Sequence, residues 1–82
     1  MDIRQAVALL YPETKDAPVI VAKERGDLAE KMIQLAEKYN VPVFEEKDTV
    51  NILSLYDVGE CIPEETYEVI SKIFAFIRRT VK

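Results

Sequence analysis

The sequence predicts an α/β fold, a small mixed sheet of about three strands packed by three helices, and three observations carry that expectation. Two short apolar runs stand close together, with too few residues between them for a helical crossover, so they form antiparallel neighbours. A segment of helical period joins the second run to a third, which makes one parallel βαβ crossover. Two further segments of helical period occupy the C-terminal half. The chain has 82 residues, 49% hydrophobic and 32% charged. That suffices for one domain, residues 1–82, and leaves no material for a second core.

The first run, Ala6-Val7-Ala8-Leu9-Leu10-Tyr11, is nearly continuous and ends at Pro12, which suits a strand buried on both faces; its alanines weaken the assignment. The second, Pro18-Val19-Ile20-Val21-Ala22-Lys23, is β-branched at its centre and opens on a proline, a residue that strands accept at their first position. Gly26-Asp27-Leu28-Ala29-Glu30 reads as a helix start, with Asp27 as cap and Glu30 reaching back as in a capping box. Leu28, Met32, Leu35, Ala36 and Tyr39 recur at helical spacing as the inward face, and Asp27 and Lys31 stand four apart on the outer one. Asn40 suits a left-handed helix end, and Pro42 prevents continuation. Val41-Pro42-Val43-Phe44 follows as the third strand.

Asp48 or Thr49 caps a short helix through about Tyr56, with Ile52, Leu53 and Tyr56 inward, and Gly59 ends this part. The last helix begins at Pro63, with Glu64 and Glu65 at its positive end and Arg78, Arg79 and Lys82 at its negative end. Its apolar arc holds Tyr67, Val69, Ile70, Ile73, Phe74, Phe76, Ile77 and Val81. That arc covers roughly half the circumference, wider than the roughly 100° stripe of an ordinary surface helix, so part of it faces something beyond its own sheet.

Composition narrows the function classes. No apolar run approaches the roughly 18 residues of a spanning helix, and Met1-Asp2-Ile3-Arg4-Gln5 lacks the order of a signal peptide, so the expectation is a cytoplasmic protein. With no histidine the chain lacks the usual general base and the commonest metal ligand; no catalytic residue, cofactor or metal site is expected. A net charge of −4 argues against nucleic acid as a partner. Cys61 reads as a small half-buried residue, and the pairs Glu45-Glu46 and Glu64-Glu65 as surface charge.

Several ordered segments carry a resemblance: Ala6-Val7-Ala8-Leu9-Leu10-Tyr11, the stretch Pro12 to Lys23, Gly26-Asp27-Leu28-Ala29-Glu30-Lys31, Val41-Pro42-Val43, Gly59 and Ile62-Pro63-Glu64-Glu65-Thr66-Tyr67-Glu68. Together they resemble the cytoplasmic C-terminal domain of the FlhB family, the export-switch proteins of the flagellar and type III secretion apparatus. The resemblance implies a non-enzymatic, protein-binding role in protein export. Its implied partners are the membrane switch protein, export-gate components and secreted substrates. Family members carry an Asn-Pro-Thr-His self-cleavage motif before the first of these segments; here those positions read Met1, Asp2, Ile3 and Arg4, so self-cleavage is not implied. The resemblance also implies a stand-alone relative of the fragment that cleavage releases, without the strand that precedes the motif. Between Phe44 and Gly59 the match is loose, because Glu45-Glu46-Lys47-Asp48-Thr49-Val50-Asn51 lacks the family's proline pair and Leu-Ala-Arg.

Two candidate sites follow. Without a preceding strand, the edge formed by Gln5, Ala6, Val7, Ala8 and Leu9 presents unpaired backbone, open to strand addition by the membrane partner or by a second copy; alternatively it is covered and inert. The connection Pro12, Glu13, Thr14, Lys15, Asp16, Ala17 and Pro18 resembles the family's substrate-sorting loop, with Asp16-Ala17-Pro18 as an exposed feature, although aspartate and proline are also ordinary turn chemistry. The competing functions are a dimeric regulatory domain unrelated to export and a small enzyme without histidine chemistry.

Overall fold

The computed structural model describes residues 4–12 and 14–80, with side chains through residue 77. Glu13, Val81, Lys82 and the side chains of Arg78 and Arg79 lie outside that description, and with them the expected basic helix end. The elements are β1 (Gln5–Leu10), β2 (Val19–Arg25), α1 (Asp27–Lys38), α2 (Lys47–Leu53), a single 3-10 turn at Glu64–Thr66 and α3 (Tyr67–Thr80). This is the α/β class that the sequence predicts, with an antiparallel hairpin and three helices.

β1 and β2 pair from Gln5↔Arg25 to Ala8↔Ala22, and then from Leu9↔Ile20 to Leu10↔Val19. Val21 is the extra residue at this shift, a bulge that bends the hairpin. Side chains alternate across a strand. Val7, Leu9 and Ile20 therefore share one face, where they pack with Leu53 of α2, Ile62, and Ile70, Ile73 and Phe74 of α3. Ala6 and Ala8 project to the opposite face, where α1 lies across both strands and buries Ala29 completely. The alanines that weaken β1 as a strand are what a helix packed this close requires.

Four expectations are corrected. The third strand and its parallel crossover are absent among the described residues: the sheet has two strands, and residues 41–46 are irregular and exposed. A strand persists only where its backbone is paired. Val41 donates its N–H to Ala36 at 2.8 Å, closing α1, and Pro42 has none to give. The capping box is also absent. Gly26, at φ 61°, occupies the cap with no side-chain bond, a conformation that glycine alone adopts freely, and Glu30 pairs with Arg4 at 2.7 Å instead. Asp27 and Lys31 form no ion pair. Finally, the inward face of α1 is rotated, with Ala29 buried while Leu28, Leu35 and Tyr39 are exposed.

Other local readings hold. Asn40 has φ 60°, and its N–H donates to Glu37 while that of Val41 reaches Ala36, the paired bonds of a left-handed helix end. In α2, by contrast, the cap differs from the expected Asp48 or Thr49: Glu46 takes it, and Thr49 is buried inside the helix with the expected Leu53. Before α3, the Thr66 hydroxyl donates to the Pro63 carbonyl at 2.8 Å, which satisfies a buried polar group at the helix entry.

Candidate binding surface

The two edges of the hairpin differ in their backbone bonding. The N–H of Gly26 donates to the Arg4 carbonyl at 2.8 Å, which fixes the alternation of the ladder. Ala6 and Ala8 therefore turn their N–H and C=O groups toward β2, whereas Gln5, Val7 and Leu9 turn theirs outward. No backbone hydrogen bond joins those outward groups to another described residue. The edge carries no proline and no charged side chain from Gln5 to Leu10, two of the devices that usually protect an exposed edge. The Gln5 amide donates to Asn51 Oδ1 at 3.1 Å, so α2 touches the start of the edge without pairing with it.

β2 is closed on its outer side from Pro18 to Ile20, whereas the outward backbone groups of Lys23 and Arg25 meet no described backbone partner. Ile20 donates its N–H to the Glu60 carbonyl at 2.9 Å and accepts from the Gly59 N–H at 2.7 Å, and the Ile62 N–H reaches the Pro18 carbonyl at 3.0 Å. Val19 forms an isolated antiparallel bridge with Cys61, which is exposed and not half-buried as its small size suggested. The Lys23 ammonium closes the end of α2, donating to the Tyr56 carbonyl at 2.7 Å and the Ser54 carbonyl at 3.2 Å.

The open edge runs into a cleft. At the end of β1, Tyr11 meets Phe74 of α3 edge-on, ring centroids 5.8 Å apart, and its hydroxyl donates to the Asp16 carbonyl at 3.3 Å. Beside this contact lies a cleft of about 140 Å³ lined by Tyr11, Asp16, Ala17, Pro18, Ile62, Tyr67, Ile70, Ser71, Phe74 and Ala75. Cavities of roughly this size hold one benzene-sized group. The loop between the strands turns through the Lys15 N–H to Pro12 carbonyl bond, and Thr14, Lys15 and Asp16 are exposed. Ala17 and Pro18, expected as part of an exposed feature, are buried and form the floor of the cleft, with Ala17 inside the core cluster.

The structure thus brings the two candidate segments together and adds α3, whose apolar arc sequence reasoning set partly against something beyond its own sheet without assigning it to either candidate site. Tyr67 and Phe74, one heptad apart on an arc too wide for the core alone, were the available signal; Ser71 and Ala75 gave none. Among the described residues no group of three or more Cys, Asp or Glu is placed to hold a metal ion. No helix among them is long and apolar enough to cross a membrane.

Residues 3–77 match the profile of the "FlhB HrpN YscU SpaS Family". The uncharacterized protein YlqH of Bacillus subtilis (strain 168) is 42% identical over 76 residues, covering 92% of this chain and 82% of that protein. The flagellar biosynthetic protein FlhB of Aquifex aeolicus (strain VF5) is 36% identical over 74 residues, covering 88% of this chain but only 21% of the relative. Among solved structures, a mutated EscU C-terminal domain matches with a TM-score of 0.84 at 23% identity, covering 92% of this chain and 93% of that one. That likeness establishes the fold.

Proposed function

This chain belongs to the FlhB HrpN YscU SpaS family, and from that premise we propose that it is a non-enzymatic, cytoplasmic binding module of a flagellar or type III protein export apparatus. It binds the membrane-anchored switch protein by accepting an extended strand on β1. The observation that carries this reading is the unpaired edge, where Gln5, Val7 and Leu9 offer a ladder of donors and acceptors. Main-chain hydrogen bonds would supply affinity, and the alternating side chains of the incoming strand would supply selectivity.

The adjoining cleft favours a second contact on the same surface. An exported polypeptide lying along Tyr11 and α3 can place one apolar side chain against Pro18 and Phe74, beside the exposed Asp16 carboxylate. The experiment uses the FlhB-type membrane protein of the same organism, truncated ahead of its own C-terminal strands, as bait for the full chain. Val7→Pro removes an outward N–H without removing a bond to β2, so association should be lost while the hairpin survives. Unchanged association of a folded Val7→Pro variant would overturn strand addition.

A further inference from the structure

The rotated face of α1 leaves a feature that neither the core nor the open edge uses. Leu28, Leu35 and Tyr39 are 56%, 55% and 66% exposed, and Met32 between them is half-buried. Spaced by four, three and four residues, these positions fall within roughly 60° of the helix circumference. A stripe that narrow and that regular has the spacing of a helix-pair seam, whereas a core-facing stripe is wider. It is also unusual for a short helix to expose three large apolar side chains in one line, since each costs hydration free energy unless covered.

The charges beside the seam select the occupant. Lys31 and Lys38 stand on one flank, seven residues apart, in the positions next to a coiled-coil seam, and Asp27 lies farther out on the same side. Lys31 makes no ion pair among the described residues, and the Lys38 ammonium lies 5.7 Å from the centre of the Tyr39 ring. The nearby Glu30 is committed to Arg4. On the other flank are Ala29, fully buried against the strands, and the half-buried Ala36, so that flank carries no charge. We infer that this face of α1 is a docking seam for an amphipathic helix of another protein that carries acidic residues beside its apolar stripe.

A second copy of the chain fits less well. Antiparallel pairing along the seam sets the lysine flanks against each other, and parallel pairing sets lysine against alanine, so neither gains an opposite charge. A membrane surface fits less well too: interfacial helices present a broad apolar face and a strongly basic one, whereas the outer face here includes Asp27, Glu30 and Glu37. Two helical turns bury little area, which places the contact among weak, transient interfaces.

The test titrates the full chain with two synthetic three-heptad peptides, each with leucine along its seam, one flanked by glutamate and the other by lysine. Amide shifts report the surface that is contacted. The glutamate peptide should move α1 signals and bind at least about tenfold more tightly than the lysine peptide, and the double variant Lys31→Glu/Lys38→Glu should reverse that order. Leu28→Ser/Leu35→Ser should weaken binding by about tenfold or more with little loss of fold, because both side chains are exposed. Equal affinity for the two peptides, no binding, or binding unaffected by the serine variant would overturn the inference. So would preferential binding to phosphatidylserine vesicles, or a dimer in sedimentation that Leu35→Ser dissolves. Val7→Pro should leave peptide binding unchanged, which separates this seam from the β1 edge.

Discussion

The outer side of β2 and the outer side of β1 belong to one hairpin, yet the described chain closes the first from Pro18 to Ile20, leaving only Lys23 and Arg25 outward, and pairs none of the second. Along β2, Ile20 is satisfied by Gly59 and Glu60 and Pro18 by Ile62, and Ile20 is fully buried. Closing that edge takes a returning segment and a residue with positive φ, Gly59 at 97°. Along β1 no described segment returns, and Gln5 to Leu10 lack the charges or proline that blunt exposed edges elsewhere. The difference teaches that backbone pairing among the described residues is completed selectively, and the unpaired side is the one to which we assign partner binding.

Substitutions can break or sharpen this contrast. The largest effect is expected at the closed side, where Ile20→Ala removes a fully buried side chain from the core and should cost about 2–5 kcal/mol, read from denaturant midpoints. Ala8→Pro comes next: its N–H points at β2, so the ladder loses a bond and the variant should lose at least about 1–2 kcal/mol. Gly59→Ala should cost about 1–2 kcal/mol through backbone strain alone, since no atom lies within 4 Å of the added carbon. Val7→Pro, one residue from Ala8 but facing outward, should cost less than about 1 kcal/mol, because edge positions tolerate proline. If Val7→Pro and Ala8→Pro destabilise equally, the assignment of inward and outward groups is wrong. The smallest effect is expected for Arg4→Ala, whose 2.7 Å pair with Glu30 is half-exposed or more on both sides and should contribute no more than about 1 kcal/mol.

Local chemistry made much of the fold legible in the sequence. β-branching around Ile20 and the left-handed end at Asn40 are local preferences, and each appears where expected, whereas α2 ends at Leu53, ahead of the Gly59 expected to stop it. What was not legible depends on partners distant in sequence. The stripe from Leu28 to Tyr39 has helical spacing whether it faces a core or another protein, so periodicity alone gave it the wrong side. Val41 to Phe44 has strand-like residues but lies against no described strand, and residue preference cannot bring it to one. The capping box failed at Asp27 because Gly26, already at positive φ, takes the cap position. The open edge and the loop were both candidates from the sequence, but the cleft that continues from them required α3 to be in place.

The central claim is that the groups of Gln5, Val7 and Leu9 await a partner strand. Residue-resolved amide hydrogen exchange tests it most directly, measured on the free chain and again with the truncated FlhB-type membrane protein bound. In the free chain Val7 and Leu9 should exchange quickly and Ala6 and Ala8 slowly, in alternation along one strand. On binding, Val7 and Leu9 should become protected while Ala6 and Ala8 change little. Protection of Val7 and Leu9 in the free chain, or their continued rapid exchange in a complex that forms, would contradict it.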